Sequence, residues 1–444
     1  MLFAFRLRKD PALPPPGNAN VIALWDSARA PDPLTFEIHW SAPYWAADRA
    51  EALGPLPEHV LAEPYQQTNA DAFVIHPYFR TEFVGLGPYR LADWVQGSQM
   101  SFTRFDDFFL GRPPLDSVVL RFIGDPNTMA AAILAGAVDV IPGSVSGSVG
   151  LDSALEIQKQ WEGTGNVVNM VPAAGFRVLE PQLRPELARP RAALPDVRVR
   201  QALSYGIDRV SLNEVMRHGL AAIADSWIEP TDPRRPQLES FIPQFPYDQR
   251  RAQRLLTDAG WSPGPDGVLV HSGTGERFEL VLRATQVAGG QTGKDVEAQL
   301  LDSDWKKLGV QSTLDLAAIG TSQSREYDAK SPGMLVSGAF GNPAQPFQGR
   351  YESRYTANDA NRWGGQNLEG YSDPEADVLL PQFNTTIDAR QRIDLERRLL
   401  QKLIGEVAFY PQIWEITPVL MLKGVSPFAG ARTTYKFYAW DKEP

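Results

Sequence analysis

Apolar residues at helical spacing recur along the second half of the chain, and several such runs begin at an aspartate. After Asp196 the apolar positions fall on one stripe, which predicts an amphipathic helix through about Ile207. An aspartate just before such a run can accept a backbone N–H of the first turn and so mark its cap. The same signal, with a glycine closing each run, predicts further helices after two aspartates: Asp208, closed by Gly219, and Asp248, closed by Gly260.

Alternating apolar and polar residues predict strands between these helices. Val310 to Leu316 alternates directly after a helical run that Gly309 stops, and Leu34 to Trp40 alternates near the amino terminus. A long helix is predicted from about Ala389 to Val407. Because helices and strands follow one another in turn, the pattern predicts an α/β fold, a sheet covered by helices.

One stretch predicts a complete βαβ unit. Ser117 to Ile123 is rich in β-branched residues, Asp125 can cap a helix with Pro126 at its first position, and Val138 to Ile141 returns to a strand. A strand, helix and strand in this order predict a parallel pair.

The amino terminus alternates as well. Phe3, Phe5 and Leu7 are separated by Ala4 and Arg6, which predicts a strand. The apolar stretch is too short for a secretory signal. We therefore expect a chain that opens inside a strand, with an incomplete first domain that is less stable than a version extended upstream.

Chain length, charge and composition limit the classes of function that this chain can have. A chain of 444 residues exceeds one hydrophobic core, so at least two domains are expected. A net charge of −10 without a Lys/Arg-rich run argues against a nucleic-acid partner. The chain has no cysteine, and its five histidines show no i, i+4 pair, so we expect no metal site and no other cofactor.

Several motifs resemble solute-binding protein family 5, which includes the peptide-, dipeptide- and nickel-binding proteins of ABC importers. They stand in the family's order and cover nearly the whole chain from about residue 55 onward. The motifs are Gly85-Leu-Gly-Pro-Tyr-Arg-Leu91, the stretch 108–116, Gly136-Ala-Val-Asp139, the stretches 196–209 and 247–261, and Gly370-Tyr-Ser-Asp-Pro-Glu375.

The resemblance implies a two-lobed periplasmic-binding-protein fold of the class II type, with two crossover strands as a hinge. The first lobe would comprise residues 1–180 and 416–444, and the second lobe residues 181–415. The function implied is capture of a peptide-like or other small extended solute by lobe closure, without catalysis, and delivery to ABC transporter permease subunits. A monomer is implied, membrane-anchored in the periplasm or outside the cell, although this chain opens without a signal peptide.

The resemblance also indicates where the ligand would bind. Peptide binders of the family hold the ligand's ammonium with an aspartate, and Ala339 stands at that position here. We therefore expect a neutral or sugar-like ligand, or a peptide held differently. A tryptophan such as Trp414 is more often a core residue than a ligand contact, and Arg362 can be a surface arginine. The predicted ligand-contacting residues offer aromatic faces, amides and a guanidinium: Phe340, Asn342, Gln345, Arg362, Trp363 and Trp414.

Two other functions fit the composition. Eleven tryptophans and 53 acidic residues also suit a carbohydrate-binding or glycoside-hydrolase-like enzyme with an aromatic cleft, although no catalytic motif occurs. A ligand-responsive interaction protein, which presents its bound form to a sensor or chaperone, is the other alternative. Turnover of a substrate would identify the first, and a captured partner the second.

Overall fold

The computed structural model describes most of the chain, in eight segments. These are residues 1–13, 19–48, 54–143, 148–286, 293–318, 325–339, 349–426 and 438–442. The chain forms two compact units, unit 1 (Met1–Ala173 and Thr417–Pro444) and unit 2 (Ala174–Ile416). It passes from one unit to the other twice, within strand β7 (Val167–Pro181) and within strand β13 (Tyr410–Met421).

Unit 1 joins short helices to small antiparallel sheets. Its helices are α1 (Leu2–Lys9), α2 (Ala19–Ile22), α3 (Glu58–Gln67), α4 (Ala70–Val74), α5 (Pro126–Leu134) and α6 (Leu151–Gln160). Its remaining strands are β1 (Trp25–Asp32), β2 (Thr35–Trp40), β3 (Tyr89–Val95), β4 (Gln99–Arg104), β5 (Ser117–Arg121), β6 (Val140–Ile141), β14 (Val425–Ser426) and β15 (Asp441–Lys442).

The predicted amino-terminal strand is wrong, because residues 2–9 form helix α1. Phe3 and Leu7 alternate as in a strand, but they are also four residues apart and so share one face of a helix. That face buries Phe3, Ala4 and Leu7. It packs against Leu61 of α3 and Phe73 of α4, so tertiary burial selects the helix.

The predicted parallel pair around helix α5 is also wrong, although its elements exist. Asp125 caps α5 by accepting the Thr128 N–H at 2.7 Å, as expected. The strand before it, β5, pairs antiparallel with β4, and the strand after it, β6, pairs antiparallel with β13 through Ile141 and Leu420. The partner of β6 therefore comes from a segment far away in sequence.

Unit 2 carries the larger sheet and most of the helices. Its helices are α7 (Val197–Tyr205), α8 (Arg209–Arg217), α9 (Arg235–Leu238), α10 (Gln249–Asp258), α11 (Lys294–Lys306), α12 (Arg325–Ala329), α13 (Pro374–Thr385) and α14 (Ala389–Leu399), which a π-helical turn over Leu400–Ile404 extends. Its strands besides β7 and β13 are β8 (Trp261–Pro263), β9 (Leu269–His271), β10 (Glu279–Gln286), β11 (Gln311–Ala318) and β12 (Met334–Ala339).

The aspartate caps predicted in unit 2 are confirmed. Asp196, Asp208 and Asp248 each accept a first-turn backbone N–H, at 2.8, 3.0 and 2.9 Å respectively. Helix α8 ends at Arg217, just before Gly219, and its apolar residue Val215 is 57% exposed.

The unit 2 sheet has the order β11-β10-β12-β7. Strand β10 is parallel to both β11 and β12, whereas β7 is antiparallel to β12. Strand β10, helix α11 and strand β11 form a βαβ unit, which is the arrangement that an α/β pattern predicts. Trp261, Phe278 and Trp305 lie in the core on the α11 side, and a second apolar cluster surrounds Phe176 and Trp414.

Candidate functional site

The parallel strands of unit 2 end together at one edge of their sheet. Strand β10 ends at Gln286, paired with Ala318 at the end of β11, and β12 ends at Ala339. Open α/β sheets bind ligands outside the carboxyl ends of their strands. This edge is therefore the candidate site, and it lies within unit 2.

An aromatic pair borders this edge. The register of β7 places Phe176 opposite Ala339, and the ring of Trp414 on β13 lies 5.1 Å from the Phe176 ring. Trp414 is only 4% exposed and belongs to the apolar cluster. Its indole Nε1 meets no acceptor among the described residues. Trp414 thus lies beside the candidate edge as a buried residue.

Charged residues lie on the opposite face of the same two strands, because successive side chains of a strand point to opposite faces. Arg177 follows Phe176 and forms ion pairs with Glu297 of α11 at 2.5 Å and with Glu415 of β13 at 3.2 Å. Arg217, at the end of α8, contacts the other oxygen of Glu415 at 2.6 Å. These contacts tie β7, β13, α8 and α11 into one network, which we call the Arg177 cluster.

Burial sets the electrostatics of this cluster. Burial raises the pKa of Glu297, although the Arg177 guanidinium opposes that shift. For Arg177 burial disfavours the charge, but the two carboxylates outweigh burial and raise its pKa. Lys294, one turn before Glu297 on α11, has its pKa lowered by burial and by Arg177. Asp328 and Glu180 also act on Lys294, so carboxylates balance the cations around this cluster.

The ligand residues predicted from sequence are only partly brought together. Phe340, Asn342 and Gln345 lie outside the described residues. Trp414 lies at the candidate edge, and Ala339 ends the strand beside it. Their role in ligand contact remains a prediction.

Arg362 and Trp363 lie in a different part of unit 2. Both have positive φ, at 51° and 59°, in a turn after Asn361. The Trp363 ring is covered by Lys330 at 4.7 Å and by Arg184 at 5.9 Å, and Arg184 follows the end of β7 remote from Phe176. The strand from Phe176 to its end spans roughly 16 Å, so this turn is separate from the aromatic pair.

Sequence reasoning missed the Arg177 cluster. Arg177 and Glu297 are 120 positions apart, so no local pattern joins them. The available signal is that β7 contains Arg177 and Glu180 within an otherwise apolar run, and charged residues are rarely buried without a partner. That signal marks the residues but does not identify their partners.

No helix in the described ranges is long and apolar enough to cross a membrane.

Comparison with known proteins gives relatives of one kind. The oligopeptide-binding protein AppA of Bacillus subtilis is 24% identical over 364 residues, which are 78% of this chain and 59% of that protein. The chain thus spans less than two thirds of this relative's length.

Solved structures show the same fold. The structure of NikZ from Campylobacter jejuni in complex with Ni(L-His) has a TM-score of 0.75 at 22% identity, covering 99% of this chain and 83% of that chain. AppA from Bacillus subtilis in complex with a nonapeptide has a TM-score of 0.72 at 20% identity, covering 100% and 83%. The predicted α/β periplasmic-binding-protein fold is therefore confirmed.

The family assignment rests on a match that covers most of the chain. The model described as "Bacterial extracellular solute-binding proteins, family 5 Middle" matches residues 1–361, and this confirms the resemblance carried by the sequence motifs. Members of this family bind solutes in the periplasm or outside the cell and serve transport. The chain belongs to family 5 of the bacterial extracellular solute-binding proteins.

Proposed function

We propose that this chain is the solute-binding component of an ABC importer, which captures a peptide-like or other small extended solute and delivers it to permease subunits. Family membership carries the proposal. The carboxyl edge of β10, β11 and β12 supports it, because aromatic residues border this edge on one face of the sheet and charged residues border it on the other. Ligand sites combine apolar faces with a few fixed polar groups. The role is binding without catalysis.

Capture proceeds by closure of two lobes, the first formed by residues 1–180 and 416–444 and the second by residues 181–415. The solute shifts the open–closed equilibrium only if it contacts both lobes. To invert a 99:1 preference for the open form it must favour the closed form by about 5.5 kcal/mol. The protein acts as a monomer in the periplasm or at the outer face of the cell membrane.

The solute is recognised without an ammonium clamp. Ala339 offers no carboxylate at the position where peptide binders of the family carry an aspartate. Carboxylates balance the cations in the Arg177 cluster, because Asp328 and Glu180 also act on Lys294. A neutral solute whose polar groups accept hydrogen bonds from Lys294 fits these charges.

Native mass spectrometry of the purified protein tests this proposal. We expect one small molecule retained at a 1:1 ratio, and a smaller scattering radius when that molecule is returned to stripped protein. Lys294→Met should reduce retention, whereas Lys306→Met, at the exposed far end of the same helix, should not. Conversion of the retained molecule into a product would instead support the glycosidase-like alternative, and binding without a change in radius would contradict closure.

A further inference from the structure

Two buried carboxyl groups meet on the face of β7 that lies opposite the Arg177 cluster. Glu180 of β7 is 2% exposed and Glu369 is 5% exposed. The backbone of Glu369 is fixed beside the end of β7, because its carbonyl accepts the Leu183 N–H at 2.9 Å. Glu180 acts on Glu369 through its charge and as a hydrogen-bond partner, and both influences raise the pKa of Glu369.

Among the described residues, one cation forms an ion pair with a carboxylate of this pair. Arg350 donates from Nη2 to Oε1 of Glu180 in a buried ion pair. Neither oxygen of Glu369, nor Oε2 of Glu180, meets a donor among the described residues. Two ionised carboxylates would therefore share one guanidinium away from water, which is strongly unfavourable.

A shared proton removes this conflict. A protonated carboxyl has one O–H to donate, and the free Oε2 of Glu180 is an acceptor. With that proton in place, one net negative charge faces one guanidinium, and an acceptor that would otherwise stay unsatisfied gains a donor.

We propose that Glu369 is a positioning residue that stays protonated at neutral pH, donates its O–H to Glu180 and thereby holds Glu180 in place on Arg350. Glu369 acts through Glu180, and ligand contact is not part of its role. The family resemblance assigns ligand recognition to the position of Ala339, which Arg350 follows in the sequence, so the proton also makes solute retention depend on pH. This last step rests on the proposed function.

The groups around the pair allow this assignment. Tyr351, beside Arg350, is buried between Tyr371 and Phe409, and burial raises its pKa well above the usual value, so it stays neutral. Arg184 is the further cation near Glu369, and its guanidinium donates to backbone carbonyls, including that of Leu368 at 2.7 Å. Lys294 and Asp328 act on Glu180 with opposite charge.

The electrostatics of Glu369 support the same assignment. Burial, followed by the charge of Glu180, raises the pKa of Glu369 to about 8, although Arg350 opposes the shift. The proton is therefore present at neutral pH and is lost in mildly alkaline solution.

Infrared difference spectroscopy of the whole protein tests the shared proton without any ligand. We expect a carbonyl band of a protonated carboxyl that disappears as the pH rises through about 8. Glu369→Gln should lack this band, because the amide donates to Glu180 but does not titrate. Glu415→Gln, which alters a carboxylate held by two arginines, should keep it. A wild type without the band, or a band that survives in Glu369→Gln, would overturn the proposal.

The pH profile of solute retention separates this proposal from the proposed function. If a solute co-purifies, wild-type protein should lose most of it between about pH 7 and pH 9, whereas Glu369→Gln should retain it throughout. Parallel profiles for the two proteins would refute the coupling of Glu369 to binding. If no solute is found, the proposed function fails, and the infrared band still decides the protonation of Glu369.

Discussion

Arg177 and Glu297 form a buried ion pair, with Nε of the arginine 2.6 Å from Oε2 of the glutamate. The Arg177 side chain is 6% exposed and that of Glu297 is fully buried. Arg177 lies in the part of β7 that follows its passage from unit 1, and Glu297 lies in the first turn of α11. The pair therefore fixes the start of α11 to the strand that enters unit 2.

Removal of one residue of this ion pair should lower the stability of the protein. We expect Glu297→Leu to lower the free energy of unfolding by about 3 kcal/mol, because the buried Arg177 loses its fully buried carboxylate partner. Urea denaturation followed by tryptophan fluorescence measures this. The double variant Arg177→Met/Glu297→Leu has no charge at either position of this pair. It should therefore recover part of the free energy of unfolding that Glu297→Leu loses. A double variant that is less stable than Glu297→Leu would contradict this account.

A close backbone contact predicts the effect of one added methyl group. A Cβ on Gly333, just before β12, would lie 2.0 Å from the carbonyl oxygen of Val281 on β10. Backbone cannot move away without breaking the β10–β12 pairing, so Gly333→Ala should lower stability by about 3 kcal/mol or more. Gly338→Ala, in β12 itself, meets no described atom within 4 Å and serves as the control. Equal melting temperatures for the two variants would contradict the prediction.

Local signals made much of unit 2 predictable. The caps at Asp196, Asp208 and Asp248 follow from an aspartate before an apolar stripe, and each is formed by residues three or fewer positions apart. The predicted strand at the amino terminus is wrong because the spacing of four between Phe3 and Leu7 fits a helix as well as a strand. The parallel pair failed because β6 pairs with β13, which no local pattern can indicate.

The candidate site was predictable only where the family resemblance named a residue. That resemblance led to Trp414 and to the stretch that includes Ala339, which the structure joins through Phe176. It did not lead to the Arg177 cluster or to Glu180 and Glu369, because their partners are distant in sequence. Buried charge is decided by tertiary packing, and a single sequence does not show which carboxylate meets which cation.

The positive φ of Arg362 offers a clean way to test its predicted ligand role. A non-glycine residue in the left-handed region is strained, and glycine adopts that conformation freely. Arg362→Gly should therefore raise the free energy of unfolding by several tenths to about 1 kcal/mol. Thermal melting measures this, with Arg362→Ala, which keeps the strain, as the control. Because folding is preserved, any loss of solute retention in Arg362→Gly would report on the guanidinium alone.

The pKa of Glu369 also predicts how stability depends on pH. Folding raises this pKa from 4.5 to about 8, so the folded state keeps a proton that the unfolded state releases between these values. The stabilisation is complete below about pH 4.5, falls as the pH rises, and is lost above about 8, a difference of roughly 5 kcal/mol. Urea denaturation across this range should show a steeper decline for the wild type than for Glu369→Gln. Coincident curves would refute it.

Arg209 is one of the residues that line a cavity of about 320 Å³ in unit 2. Its side chain hydrogen-bonds to three separate segments of the chain. Its Nε donates to the Pro411 carbonyl at 2.8 Å, Nη1 to the Phe245 carbonyl at 3.0 Å, and Nη2 to the Ser204 hydroxyl at 2.9 Å. Burial lowers its pKa to about 10, which still leaves it charged at neutral pH. The planar guanidinium thus holds the start of β13 against α7 and against the segment that contains Phe245.

Lysine cannot replace this fork, although it keeps the charge. An ammonium group is a point donor and cannot reach three acceptors that lie in different directions. We expect Arg209→Lys to lower the free energy of unfolding by about 2 kcal/mol, since hydrogen bonds to a charged group are lost in a buried place. Arg254→Lys, on the exposed face of α10, should stay within about 0.5 kcal/mol of the wild type. Urea denaturation measures the free energy of unfolding of both variants. An equal effect of the two substitutions would show that the guanidinium geometry of Arg209 does not contribute to stability.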